Sequence, residues 1–132
     1  MPTSVKPDDY PSVSPYLVAD DPDAVIDFIE SVFDARTERR YDDSDGRAHH
    51  VELRIGDGVV MLGGSSEGYP AMESLVHVYV PDVDATYQRA LDAGGEPIQE
   101  PTEMDGDPDR RGLVRGPGGN SWAIATQVHE AG

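Results

Sequence analysis

The sequence predicts an α+β fold in which two tandem βαβββ modules form mixed sheets around a cleft, with the helices on the outside. The first observation is a repeat: residues 13–63 and 75–127 follow the same order of strand, helix, two strands, glycine turn and strand. Second, an aspartate precedes each predicted helix. Third, each module closes with an apolar strand after a glycine turn. Equivalent residues of the two halves would then face one shared site.

The first module begins after a polar arm, residues 1–12, which contains three prolines and is expected to be extended, with Tyr10 as the residue that docks it. The spacing of apolar residues predicts a helix over Asp23–Phe33. Asp21 suits the N-cap of that helix, and Pro22 suits its first position. One face of the helix carries the predicted core residues Val25, Phe28, Ile29, Val32 and Phe33.

The predicted strands alternate between an apolar face and a mixed face. In 49–55, Val51, Leu53 and Ile55 oppose His50, Glu52 and Arg54. In 75–80 an all-valine face suits packing under a helix, whereas Leu75, His77 and Tyr79 suit a cavity. Shorter strands are expected at Thr37–Asp43 and Glu96–Glu100, a second helix at Val83–Ala93 ending at Gly94, a linker at Ser65–Ser74 and a mobile loop at Glu100–Asp109.

The composition restricts the class of protein. The chain has 132 residues, no cysteine and a formal net charge of -16, with 26 acidic against 10 basic residues. So large an acidic excess opposes binding to nucleic acid, and no apolar run is long enough to span a membrane. Because the acids are dispersed and lysine is almost absent, the composition is typical of a halophilic protein. No secretory leader is recognised, so a cytoplasmic location is expected.

Four phrases carry a resemblance to a known family. They are VSPYLVADDPDAVIDFIESVF, HHVELRIGDGVVMLGG, VHVYVPDVDATYQRALDAGG and DRRGLVRGPGGNSWAIAT. Together they resemble the vicinal oxygen chelate superfamily, which contains glyoxalase I, extradiol dioxygenases and bleomycin-resistance proteins, and within it the PhnB-like branch. The resemblance implies the fold described above, a small-molecule ligand in the cleft and a homodimer, but no particular reaction.

The resemblance also implies four metal-ligand positions, which map onto Ser14, Met61, Leu75 and Ala123. None of these side chains is an ordinary ligand for zinc, nickel, iron or manganese, so no metal cofactor is predicted. A shift of two residues in the second module would place His77 at the position of Leu75. The less favoured alternative is a divalent metal at a displaced site of His50, Glu52 and His77.

Two hypotheses of function follow. In the first, the protein binds a small molecule without the family metal, on a wall formed by Tyr16, His50, Glu52, Met61, His77, Tyr79 and Arg110. In the second, it is a lyase, isomerase or dioxygenase-like enzyme that uses Glu52 as general base with His50 or His77 as the acid, or the displaced metal.

Two of these candidates have a plainer interpretation. Arg110 could instead form an ion pair with Asp105, Asp107 or Asp109, and the polar pair Glu52 and His50 could simply be satisfied by hydrogen bonds, with Arg54 as a partner. For Arg111 an ion pair is favoured, and Trp122 is expected in the core.

Overall fold

The computed structural model of the protein describes residues 4–130 and contains two four-stranded sheets and two α-helices. A single 3₁₀ turn, Pro117–Gly119, precedes the last strand. In chain order the elements are β1 (Tyr16–Ala19), α1 (Pro22–Phe33), β2 (Arg36–Asp42), β3 (Ala48–Ile55), β4 (Gly58–Gly64), β5 (Leu75–Tyr79), α2 (Val83–Asp92), β6 (Glu96–Glu103), β7 (Asp109–Arg115) and β8 (Ser121–Gln127).

The two sheets have the same topology, which confirms the predicted duplication. Their strand orders are β1-β4-β3-β2 and β5-β8-β7-β6. The opening and closing strands of each module pair in parallel, and the other pairs are antiparallel. Tyr16 lies opposite Met61 in the first sheet, and His77 lies opposite Ala123 in the second.

Both helices begin at the predicted aspartates. The Oδ1 atom of Asp21 accepts a hydrogen bond from the Ala24 amide at 3.2 Å, and that of Asp82 accepts one from the Ala85 amide at 3.1 Å. After α2, Gly94 has a φ of 95°, a conformation that favours glycine and ends the helix. The caps therefore fix where each module turns from strand to helix.

The two modules share one core. Trp122 of β8 is fully buried, and its ring centroid lies 6.3 Å from that of Phe28 and 5.1 Å from that of Phe33, both in α1. The predicted helix stripe is buried as expected, and α1 also packs against α2. The helices therefore cover one face of each sheet and leave the opposite faces open, which is where candidate site residues are found.

Several boundaries differ from the sequence prediction. The loop predicted at Glu100–Asp109 shrinks to 104–108, because β6 continues to Glu103 and β7 begins at Asp109. Within the predicted linker 65–74, the Met72 amide donates to the Val18 carbonyl at 3.1 Å, so part of the linker pairs with the edge of β1. Residues 1–3 of the predicted arm lie outside the described residues. Across 4–130, no helix has the length and apolar character needed to cross a membrane.

Candidate functional site

The residues predicted to line one cleft lie in two separate groups. Tyr16, His50, Glu52 and Met61 lie on the open face of the first sheet. His77 and Tyr79 lie on the open face of the second sheet, opposite Ala123 and Ala125. Arg110 belongs to neither group, because its side chain is on the helix side of β7.

On the first sheet, four side chains form a hydrogen-bonded chain, which we call the Glu52 chain: Tyr10, Glu52, His50 and Tyr16. The Tyr10 hydroxyl donates to Glu52 Oε1 at 2.6 Å, and His50 Nε2 lies 2.8 Å from Glu52 Oε2. At its other end, the Tyr16 hydroxyl lies 3.1 Å from His50 Nδ1. The chain connects a carboxylate that is only 5% exposed to a tyrosine that is 46% exposed.

The electrostatics of the Glu52 chain determine the protonation of Glu52 and Tyr10. Burial alone would raise the pKa of the Glu52 carboxyl, but the hydrogen bonds from Tyr10 and His50 and the charge of Arg39 outweigh it, so this pKa lies below its ordinary value. Burial and the bond to Glu52 raise the pKa of Tyr10 to about 12. Glu52 is therefore an anion and Tyr10 a donor at neutral pH. In the tautomer whose Nε2–H donates to Glu52, Nδ1 of His50 accepts from the Tyr16 hydroxyl.

The N-terminal arm docks through Tyr10, as predicted. The ring is 8% exposed, and the guanidinium carbons of Arg39 and Arg54 lie 5.6 and 5.5 Å from its centroid. The hydroxyl partner of Tyr10 is a residue 42 positions along the chain. The arm thus completes the hydrogen bonding of the buried Glu52 carboxylate.

Replacing Tyr10 with phenylalanine is expected to lower the free energy of unfolding at pH 7 by about 1.5–3 kcal/mol, because a buried carboxylate loses one donor. This loss of stability depends on pH at both the alkaline and the acidic end of the range. The Tyr10 pKa is raised, so the bond is fully present below the unfolded pKa near ~10 and is lost as pH rises through the folded value. The Glu52 pKa is lowered, so the contribution of its carboxylate to stability is present above the unfolded pKa near ~4.3. This contribution is lost as pH falls through the folded pKa.

Urea denaturation of both proteins from acid to alkaline pH checks this prediction. The difference in stability between wild type and Tyr10→Phe should be flat between about pH 5 and 9.5 and should narrow at either end. Tyr41→Phe is the matched control, since Tyr41 is on the same sheet and 56% exposed. A difference that is absent at pH 7, or equal to that of the control, would contradict the assigned hydrogen bond.

The second sheet carries a separate cluster built on Asp109, which is 4% exposed. Its Oδ2 atom accepts from the Tyr79 hydroxyl at 2.6 Å and from Arg111 Nη2 at 2.9 Å. Arg111 also pairs with Asp107 at 2.8 Å, and its Nε donates to His77 Nε2 at 3.2 Å. The ion pair favoured for Arg111 is confirmed. Burial and the neighbouring guanidinium lower the pKa of His77, so this histidine is a neutral acceptor.

Two expected partnerships are wrong. Arg110 does not face the open side: its Nη2 lies 3.0 Å from Asp84 Oδ1 in α2, and no bond to Asp105, Asp107 or Asp109 forms. Alternation along β7 explains this, because Gly112 on the same face packs against the Tyr87 ring of α2. Arg54 pairs with Glu38 at 2.7 Å and not with His50 or Glu52.

The residues at the family's metal positions do not form a set of donors. Ser14 and Met61 line one cavity of about 300 Å³ beneath the arm, whereas Leu75 and Ala123 belong to the second sheet. The displaced set is not brought together either, since His50 bonds to Glu52 whereas His77 bonds to Arg111. Within residues 4–130 no group of three His, Asp or Glu side chains is arranged to hold a metal ion.

A larger cavity, of about 510 Å³, opens beside Tyr16. Its walls come from β1, the start of β3, the end of β4 and the segment that follows β4. Among the residues that line it are Tyr16, Arg47, His49, Gly63, Gly64 and Tyr69. Sequence reasoning singled out Tyr16 but missed Arg47 and Tyr69, because each stands alone in a turn without a recognisable pattern.

Comparison with known proteins identifies relatives of this chain by sequence and by structure. The family description "Glyoxalase/Bleomycin resistance protein/Dioxygenase superfamily" matches residues 12–124. An uncharacterised protein of Mycobacterium tuberculosis strain H37Rv is 36% identical over 132 aligned residues, covering 91% of this chain and 76% of the relative. TioX from Micromonospora sp. ML1 superposes with a TM-score of 0.73 at 28% identity, covering 88% of this chain and 95% of TioX.

A more distant structure shares the fold alone. The fosfomycin resistance protein FosX from Mesorhizobium loti has a TM-score of 0.63 at 16% identity, covering 88% of this chain and 91% of FosX. A likeness at that level of identity carries the architecture and not the chemistry, which has to be argued from the site.

Proposed function

Because this chain belongs to the glyoxalase/bleomycin resistance protein/dioxygenase superfamily, we propose that it binds a small molecule and needs no metal ion to do so. The observation that carries the proposal is the cavity of about 510 Å³ beside Tyr16. Cavities of this size suit small organic ligands, and a few fixed polar groups in the wall usually set their orientation. Here the fixed polar group is the Tyr16 hydroxyl, which the Glu52 chain holds in place.

The chemistry of the family's metal positions supports binding without a metal. Ser14 offers a neutral hydroxyl and Met61 a soft thioether, while Leu75 and Ala123 offer no donor atom. Hard divalent ions in proteins are held by imidazole nitrogens and carboxylate oxygens. These four residues do not fit such an ion, so no step of the proposed function uses one.

Metal analysis combined with native mass spectrometry tests this proposal. Protein purified without a chelator should contain no stoichiometric iron, zinc, nickel or manganese. Its folded mass should exceed its denatured mass by that of an organic compound, or it should gain such a compound when incubated with a library of metabolites. Stoichiometric divalent metal, with loss of ligand binding on its removal, would contradict the proposal.

A second candidate function is proton-transfer catalysis, and the Glu52 chain is the observation that favours it. Both carboxylate oxygens of Glu52 already accept hydrogen bonds, so Glu52 is better suited to position His50 than to act as the base itself. His50 would then be the base, and the exposed Tyr16 hydroxyl would transfer the proton between His50 and a substrate in the cavity. Turnover of glyoxalase- or dioxygenase-type substrates that disappears in Glu52→Gln would favour this candidate over simple binding.

We also propose a homodimer, since the open faces carry large apolar side chains in solvent. Leu75 is 70% exposed, Tyr79 64% and Tyr41 56%. A second copy of the chain would bury this surface, as exposed apolar patches commonly mark interfaces. Light scattering after gel filtration should give twice the chain mass of 14.3 kDa. Leu75→Glu should shift the protein towards the monomer, whereas a monomeric wild type at micromolar concentration would contradict the proposal.

A further inference from the structure

The cavity beside Tyr16 contains one arginine that has no carboxylate partner. Arg47 is held by backbone carbonyls instead: its Nη1 donates to Ser65 at 2.9 Å, and its Nη2 donates to Asp20 at 2.8 Å. Among the described residues, no Asp or Glu carboxylate oxygen lies within 4.0 Å of its guanidinium nitrogens. The positive charge of Arg47 is therefore not neutralised by a fixed anion of the protein.

This state is unusual in the molecule. The sequence has nine arginines, and seven of them pair with a carboxylate. The remaining one, Arg89, bonds to the Val32 carbonyl and to the Thr86 hydroxyl. The chain has a net charge of -16, yet Arg47 faces a cavity and has no carboxylate partner. Its charge is therefore available to bind an anion from solution.

The guanidinium of Arg47 is fixed in position and still has donors to spare. Its five N–H groups form a planar fork, and the protein contacts described above use only Nη1 and Nη2. Within residues 4–130, Nε and one hydrogen of Nη1 have no protein acceptor. Each of these two donors can form a charge-assisted hydrogen bond to an oxygen of a bound anion.

The nearby carboxylates are engaged elsewhere. Asp43 lines the same cavity, but its Oδ1 atom accepts from the Asp45 amide at 2.9 Å and from the Arg47 amide at 3.0 Å. The Oδ1 atom of Asp20 accepts from the Ser65 hydroxyl. Asp43 therefore stabilises the turn before β3, Asp20 holds the Ser65 hydroxyl, and neither acid pairs with the guanidinium.

The floor of the cavity is two glycines, and each makes room for a functional side chain. A Cβ atom on Gly64 would lie 2.7 Å from Arg47 Cζ, and one on Gly63 would lie 2.8 Å from the Tyr16 hydroxyl. The guanidinium and the phenol can occupy their positions only because both residues lack a side chain. Gly63 and Gly64 thus leave room in the cavity for the two groups.

The wall of the cavity also carries a second aromatic ring, that of Tyr69. Tyr69 lines the cavity in a turn closed by two backbone hydrogen bonds with Ser66, at 2.8 and 3.0 Å. The ring is 70% exposed, so it has aromatic surface available to a ligand. Two tyrosine rings in one cavity suit a planar aromatic ligand.

We propose that this cavity binds a small aromatic carboxylic acid, with the carboxylate on Arg47 and the ring between Tyr16 and Tyr69. This assignment rests on the proposed small-molecule function and names the chemical class of its ligand. The ring of the ligand contacts Tyr16, so the bound molecule lies at the exposed end of the Glu52 chain.

Titration calorimetry with benzoate and with benzamide tests the proposal. The two compounds have the same shape and differ in charge, so benzoate should bind at least about tenfold more tightly at low ionic strength. Arg47→Gln should abolish that preference and leave benzamide binding unchanged. Arg115→Gln, in which an exposed arginine of the second sheet is changed, is the matched control and should keep the preference.

A second variant keeps the test decisive if Arg47→Gln fails to fold. Tyr69→Ala alters an exposed ring and should weaken both compounds while preserving the preference for benzoate. Equal binding of benzoate and benzamide to wild type would overturn the anion assignment while leaving the small-molecule function in place. Binding of neither compound, when other library members do bind, would overturn the aromatic acid class, and a cavity that binds no compound at all would overturn the underlying function.

Discussion

Replacing Trp122 with alanine is expected to lower the free energy of unfolding by about 3–5 kcal/mol, the range for removing a fully buried large aromatic side chain. The ring belongs to the second module but packs against Phe28 and Phe33 of the first. The cavity left by alanine would therefore lie between the two modules, where neither helix can close it without moving away from its own sheet. Urea denaturation followed by far-UV circular dichroism measures the change without depending on tryptophan fluorescence.

Phenylalanine at the same position separates packing from polarity. Trp122 Nε1 is buried and, among the described residues, has no hydrogen-bond partner, which is itself unfavourable. Trp122→Phe removes that donor and keeps an aromatic ring, so it should lower stability by at most about 2 kcal/mol. Val5→Ala, at a side chain that is 100% exposed, is the control. A loss below about 1 kcal/mol in Trp122→Ala would contradict a shared core.

The second large effect is expected from Glu52→Gln, which should reverse the direction of hydrogen bonding along the Glu52 chain. The amide of glutamine can accept from Tyr10 through its oxygen, but it presents N–H to His50. His50 Nε2 must then accept, its proton moves to Nδ1, and Nδ1–H donates to Tyr16 rather than accepting from it. Side-chain nitrogen chemical shifts of His50 should report this change of tautomer.

If the protein is an enzyme, the same substitution should lower turnover by about 10²–10⁴-fold, because His50 can no longer accept a proton from Tyr16. Glu38→Gln is the matched control: Glu38 is on the same sheet and pairs with Arg36 and Arg54, remote from His50. It should leave both the tautomer and turnover unchanged. An unchanged His50 tautomer in Glu52→Gln would show that the assigned hydrogen bonds are wrong.

The architecture was predictable because its signals are local and recur. Each helix is preceded by an N-cap aspartate whose side chain accepts from the amide three residues later. Helix α2 is followed by Gly94, which has a positive φ. The alternation of β3 and β5 gave the correct faces: Val51 and Leu53 are fully buried, and Leu75 and Tyr79 are exposed. Such patterns span only a few residues, so one sequence suffices to detect them.

The candidate site was predictable only in part, because its contacts join distant positions. Tyr10 and Glu52 are 42 residues apart, and no local pattern couples them. Arg110 was assigned to the cleft from a family phrase, yet strand alternation places it with Gly112 on the helix side. Arg47 was missed, because the guanidinium owes its significance to carbonyls at 19, 20 and 65 that only the folded chain brings together.

Amide chemical-shift mapping tests the central claim of metal-free ligand binding most directly. Isotope-labelled protein, treated with a chelator, would be titrated with a small-molecule library that includes aromatic acids. Compounds that bind should perturb the amides of Gly63, Gly64 and Ser66 around the cavity beside Tyr16, and adding zinc or manganese should not change their affinity. Binding that appears only after a divalent metal is added, or no binding by any compound, would contradict the claim.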